Sequence, residues 1–311
     1  MATHGRDLPG YVALNESGEL DDRAARAREL LEPCRVCPRE CRVDRLHGVT
    51  GFCRTGALPV VASTGPHFGE EAPLVGRHGS GTIFVTHCNL SCEFCQNYEI
   101  SQCGAGQEIS CDELAGRMLQ LQRAGCHNIN LVTPSHIVPQ ILRSLVTAAR
   151  GGLTIPLVYN SSGYDAVRTL RLLEGVVDIY MPDAKYGTDE AASALSDAPH
   201  YVETMQAAVR EMHRQVGDLV VRDGIAVRGL IVRHLVLPDN LARSDLVLPW
   251  IAREISGDAY VNIMAQYRPA GRVARGGKNP VNPALMRGIT SGEYARAIRW
   301  ARAAGLHRGV R

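Results

Sequence analysis

The sequence predicts an α/β protein in which strands and helices alternate, curled into a full or partial barrel of parallel strands. Two observations carry this. Six short apolar runs recur from residue 81 onward with helical patterns between them. The runs are also too uniformly apolar and β-branched to be half-exposed, so both faces of the sheet must be covered. A flat, doubly wound sheet fits the same pattern and stays open as the alternative.

Residues 20–31, "LDDRAARARELL", read as an amphipathic helix ending before Pro33. A four-cysteine stretch follows, Cys34-x2-Cys37-x3-Cys41-x11-Cys53. The strands are then "GTIFVT" (81–86), "NINLV" (128–132), "IPLVY" (155–159), "VVDIYM" (176–181), "GLIVRHLVL" (229–237) and "AYVNIM" (259–264). The clearest intervening helix is 110–124, where Ser110 and Glu113 have the spacing of a capping box. Others are expected at 136–150, 164–174, 201–216 and 243–256. A loop, "QYRPAGRVARGGKNP", leads to a last helix over 291–304. The division expected is 1–60 for the helix and cysteine knuckle, 61–268 for the barrel, and 269–311 for a closing loop and helix.

The formal net charge of +2 and 21% charged residues imply neither a nucleic-acid groove nor a funnel for acidic substrates. No apolar run reaches the length of a membrane span, and the first residues lack the layout of a signal peptide, so a cytoplasmic protein is expected. Of 34 basic residues only Lys185 and Lys278 are lysine, which points to a GC-rich genome. In a reducing cytosol the ten cysteines read as metal ligands rather than disulfides.

Cys88-x3-Cys92-x2-Cys95 directly follows the first of the six strands. Three thiolates on one short loop suit a [4Fe–4S] cluster with one iron left open, whereas structural zinc wants four ligands. The earlier quartet Cys34, Cys37, Cys41 and Cys53 is a full ligand set for either zinc or a second [4Fe–4S] cluster. Such a centre would be structural or electron-relaying.

The stretch Cys88-Asn-Leu-Ser-Cys92-Glu-Phe94-Cys95-Gln-Asn97 resembles the signature loop of the radical S-adenosylmethionine (SAM) superfamily. "CRVCPRECRVDRLHGVTGFC", "HNINLVTPSH", "VDIYMPDAKY" and "YVNIMAQYRPAG" extend the resemblance to pyruvate formate-lyase-activating-enzyme-like proteins. The resemblance implies a partial (β/α)6 barrel and an open iron chelated by SAM. It also implies a 5′-deoxyadenosyl radical that takes hydrogen from a carbon, and a flavodoxin- or ferredoxin-type reductant. Phe94 would pack near the adenine, with Asn97 helping to hold the cofactor.

Further site residues are expected at strand ends. Thr133 and Ser135 stand where relatives carry a Gly-Gly-Glu-Pro motif that grips the SAM amino group, and the present sequence departs from it. Asn160 and Ser161 suit ribose or methionine contacts. Asp183-Ala-Lys185 is similar to the Asp-Leu-Lys of glycyl-radical activases, and Lys185 can pair with a carboxylate. Arg233 inside the fifth strand needs a charge to meet, and SAM carboxylate is one; its neighbour His234 must face the other way. Gln266 or Tyr267 is expected against adenosine or substrate. Cys103 and Cys111 are placed on the active face as candidate hydrogen-atom donors, Cys111 with a thiol pKa lowered by its helix N-terminus.

Two activities compete at this point. One is a sugar epimerase acting on a small molecule such as an oligosaccharide, since the resembled group includes an epimerase of orthosomycin antibiotic biosynthesis. The other is a glycyl-radical-enzyme activase, which Asp183-x-Lys185 supports.

Overall fold

A computed structural model describes residues 8–275 and 282–310; the expected loop across 276–281, with Lys278, lies outside the described residues. The strands are β1 (Val60–His67), β2 (Ser80–Val85), β3 (Gln107–Glu108), β4 (Ile129–Val132), β5 (Leu157–Ser161), β6 (Ile179–Pro182), β7 (Val220–Arg222), β8 (Ile225–Leu235) and β9 (Tyr260–Met264). Six of them, β2-β4-β5-β6-β8-β9, pair in parallel in that order. The remaining pairings, β1 with β2 and β3, and β7 with β8, are antiparallel. Among the described residues β9 pairs with β8 alone, so the row stays open: a partial barrel, one of the forms expected from the alternation of elements.

Alternation along each strand separates two apolar layers. Ile83, Ile129, Leu131, Leu157, Tyr159, Tyr180 and Val232 pack outward against the helices. Val158, Ile179, Met181 and Ile231 point the other way, closing the floor of the lumen with Leu74, Leu219 and Ala226. The helix Cys111–Arg123 begins with both halves of the expected capping box, Ser110 accepting from Glu113 N and Glu113 accepting from Ser110 N. Tyr201–Val216 follows the predicted span, and Ser291–Ala303 begins with a second capping box on Thr290 and Glu293.

Some boundaries moved. β5 starts at Leu157 rather than 155 because Pro156 has no N–H for the ladder, and it runs on through Asn160 and Ser161. β6 begins only at Ile179, since Val176 and Val177 close the preceding turn. The helix expected over 164–174 is confined to Val167–Arg171. β1, which the sequence did not signal, seals the β2 edge. The hairpin between β7 and β8 turns on Asp223 and Gly224, both with positive φ, as a two-residue connection of primed type needs. Among the described residues no helix is long and apolar enough to cross a membrane.

Candidate active site at the open barrel mouth

The loop after β2 carries Cys88, Cys92 and Cys95, all partly buried. His87, immediately before Cys88, holds a positive φ of 70°, and Thr133, directly after β4, one of 63°. A β-branched residue in that region is strained, and both stand at the mouth, where such strain serves a site. Each sulfur has local partners. Leu90 N donates to Cys88 Sγ at 3.3 Å, Ser196 Oγ to Cys92 Sγ at 3.0 Å, and Ser101 Oγ lies 3.1 Å from Cys95 Sγ. Burial, joined by the neighbouring sulfurs, pushes the Cys88 and Cys92 thiols up, so thiolates there call for a cationic centre to bind. The donor set therefore fits an iron–sulfur cluster.

The loop is clamped from two sides. Ser91 N and Glu93 N donate to Ser196 O and Leu195 O, and the Gln102 amide donates to Cys92 O at 2.7 Å. From the far end of the barrel, Arg272 Nη2 reaches Ser91 O at 2.8 Å, and its Nε lies 3.1 Å from Glu93 Oε1. Gly271 has φ +56°, and a Cβ on it would stand 2.9 Å from Glu93 O and 3.0 Å from Cys95 N. Only glycine passes there without moving the loop. Sequence reasoning missed this clamp. The glycine in "PAGR" was its only signal.

Phe94 is buried, and its ring meets that of Tyr267 edge to face, 5.6 Å between centroids. Tyr267 is fixed by a bond from its hydroxyl to Leu285 O. Gln266 is exposed, and its carbonyl accepts from the Gln96 amide. Asn97 is exposed beside them, at the start of the short helix Tyr98–Ser101.

At the ends of β5, β6 and β8 lies a charged row. The Asp183 carboxylate accepts from Arg233 Nε at 2.7 Å and from Lys185 Nζ at 2.5 Å. A second arm of Arg233 reaches Asn160 Oδ1 at 2.7 Å. Burial alone would raise the Asp183 carboxyl, but Arg233 and Lys185 outweigh it and hold it below the usual range. Lys185 in turn acts on Cys92 and Cys88 through space, which places this row beside the Cys88–Cys95 loop.

Strand alternation sorts the other expected residues. Asn160 and Arg233 face the lumen. Ser161 turns to the helix side, where its hydroxyl donates to Asp165 Oδ2 at 2.6 Å, and buried Ser135 lies beside the same carboxylate. His234 points away from the lumen between Ala184 O and Ser244 Oγ. His136, beyond the end of β4, is buried, and its Nε2 donates to Thr86 O at 3.1 Å, bracing the strand end that leads to Cys88. Thr133 N is bonded to Asn160 O.

Cys103 is exposed one residue after Gln102, the side chain that holds Cys92 O. Cys111 turns toward Ser144 of the neighbouring helix Val138–Arg150, in the outer layer. Burial raises its thiol, against the lowering expected from the helix N-terminus.

Two lumen groups were also missed. Asn130 shares the register of Val158, so it faces inward; it is wholly buried and neither end of its amide has a partner. Glu71 binds Asn262 Nδ2 through Oε1 at 2.8 Å, while its buried Oε2 has no partner. Orphaned polar atoms in a lumen want a polar ligand.

An open parallel barrel with three converging thiols at its mouth defines an iron–sulfur enzyme. The family model described as the Radical SAM superfamily matches residues 82–229. The uncharacterized protein MJ0674 of Methanocaldococcus jannaschii is 32% identical over 260 residues, covering 80% of this chain and 70% of that protein. A solved structure of TYW1 with a lysine–pyruvate adduct bound is similar at a TM-score of 0.46 and 8% identity, over 71% of this chain and 73% of that one. The chain belongs to the radical SAM superfamily. Its chemistry is reductive cleavage of SAM at a [4Fe–4S] cluster.

Proposed function

We propose that the chain is an epimerase for a sugar-containing small molecule, using a cysteine as hydrogen-atom donor. Cys88, Cys92 and Cys95 would hold a [4Fe–4S] cluster that, with SAM, would supply radical chemistry able to take a hydrogen atom from a substrate carbon. Cys103 then gives its S–H hydrogen to the opposite face of that carbon, inverting it and leaving a thiyl radical. One electron and one proton, from a flavodoxin- or ferredoxin-type reductant, return the thiol.

The observation that carries this reading is the free, exposed Cys103 thiol on the loop that also holds Cys92. Cys111 is the second candidate, less favoured because its thiol is turned into a helix interface. Cys88, Cys92 and Cys95 are the proposed cluster ligands. Phe94, Asn97, Gln266 and Tyr267 are the proposed adenosine side. The methionine and ribose side is assigned to Thr133, Ser135, Asn160, Ser161, Asp183, Lys185 and Arg233, with Ser135 and Ser161 acting through Asp165 or their backbones. The Cys34, Cys37, Cys41 and Cys53 quartet is a second metal centre, zinc or [4Fe–4S], in an N-terminal unit of residues 1–60 that precedes the barrel (61–268) and the closing segment (269–311).

The test is turnover of candidate oligosaccharides in deuterated water by the reconstituted enzyme with SAM and reductant. Deuterium at an inverted carbon is expected, with Cys103→Ala blocking inversion but still forming 5′-deoxyadenosine. A glycine-centred EPR signal raised on an added partner protein would instead establish the activase, which the Asp183-x-Lys185 likeness favours.

A further inference from the structure

The quartet on the N-terminal knuckle behaves as one centre. Cys34, Cys37 and Cys53 are buried and Cys41 is half-buried, all four within one short knuckle. Cys34 N donates to Val43 O and Arg42 N to Cys34 O, folding the segment back on itself, while Phe52 N donates to Cys41 Sγ at 3.4 Å. A Cβ at Gly51 would lie 2.7 Å from Cys41 Sγ, so the backbone is pressed against that sulfur.

Two observations go further. Arg45 is 1% exposed, and among the described residues no carboxylate lies within ion-pair range of it. Among the described residues its guanidinium donates to Gly56 O, His136 O and, at 3.9 Å from Nη1, Cys34 Sγ. A buried permanent cation needs a countercharge, and metal-bound thiolates beside it provide one. Zinc and a cubane cluster, each with four thiolates, are equally anionic, so spacing must decide between them. Zinc–sulfur bonds of ~2.3 Å put tetrahedral sulfurs about 3.8 Å apart. Among the described residues no three cysteine sulfurs lie within 4.8 Å of one another. That spacing holds for the quartet as well as for Cys88, Cys92 and Cys95, the family's cluster triad.

We propose that Cys34, Cys37, Cys41 and Cys53 bind a [4Fe–4S] cluster, charge-compensated by Arg45 and docked on the SAM-cluster loop. This refines the two-way metal reading above and is independent of the epimerase assignment. The docking contact is direct: Arg39, between Cys37 and Cys41, donates to Asn89 O, between Cys88 and Cys92, at 3.0 Å. Its guanidinium lies over the Phe52 ring, 3.6 Å from the centroid, which ties the far side of the knuckle to the same contact.

The test is metal and sulfide analysis with Mössbauer spectroscopy of anaerobically isolated protein. The triple variant Cys88→Ala/Cys92→Ala/Cys95→Ala is expected to retain about four iron and four sulfide per chain, half the load of the parent. Zinc near one per chain without iron, or no metal at all, would overturn the proposal. Should that variant fail to fold, Cys37→Ser/Cys53→Ser is expected to lower iron from about eight to about four while the EPR response to SAM persists. An unchanged iron content there would overturn it. In an EPR-monitored redox titration, Arg45→Leu is expected to move the second cluster to a more negative potential. An unmoved potential would remove Arg45 as its countercharge.

Discussion

The Asp183 carboxylate and the Arg233 guanidinium meet at 2.7 Å across the ends of β6 and β8, and Asp183 is the carboxylate bridging Arg233 to Lys185. One negative charge thus holds two cations at the mouth. Asp183→Asn leaves both uncompensated in a partly buried row, with an expected loss of about 3 kcal/mol. Urea denaturation at pH 7 measures it; a loss below a few tenths of a kcal/mol would show that the cations find other partners. Because the folded carboxyl titrates below its unfolded value, its contribution is present above about pH 4 and fades as pH falls further.

Two buried histidines govern a different pH window. Burial, aided by Arg45, lowers His136 to about 3, and burial lowers His234 to about 4. Below about pH 6.5 the unfolded chain takes up protons that the native state refuses, so stability falls with pH, by ~1.4 kcal/mol per unit for each histidine. The slope is expected from about pH 6.5 down to 4, after which His234 protonates in the fold. Denaturation midpoints that do not move between pH 7 and pH 5 would contradict it.

Gly271→Ala places a methyl 2.9 Å from Glu93 O at a backbone angle that favours glycine. The left-handed conformation costs about 1–2 kcal/mol and the overlap about 1–3 more. Iron bound by the Cys88 loop should fall while secondary structure stays intact, as read by iron assay beside circular dichroism. Full iron occupancy would mean the clamp is dispensable.

Ser196→Ala removes the hydroxyl that donates to Cys92 Sγ at 3.0 Å. Hydrogen bonds to cluster sulfurs raise the potential, so its loss should make the cluster proposed on Cys88, Cys92 and Cys95 harder to reduce. EPR-monitored titration checks this, with an unchanged midpoint counting against the bond.

Much of this was legible in the sequence, for reasons that differ by element. The Cys88–Cys95 spacing is local chemistry and needs no tertiary knowledge. Apolar runs gave the six parallel strands because strands covered on both faces are uniformly apolar. The same uniformity hid where strands begin, as Val176 and Val177 illustrate. β1, "VVASTGPH", was hidden because its Pro66, Gly65 and Ser63 belong to an edge, where strand propensity is weakly enforced. Contacts made at long range left no local trace: Arg272 on Ser91 and Arg39 on Asn89 look like ordinary surface arginines in the sequence. Ser161 could have been sorted by parity alone, had the extent of β5 been known.

Gly271 and Arg272 grip residues 91–95 from a distant part of the chain. Without that grip the loop would keep only the clamp made by Leu195, Ser196 and Gln102. The order of the loop therefore depends on a contact made 181 residues further along the chain, so damage near residue 272 reaches the site without touching a cysteine.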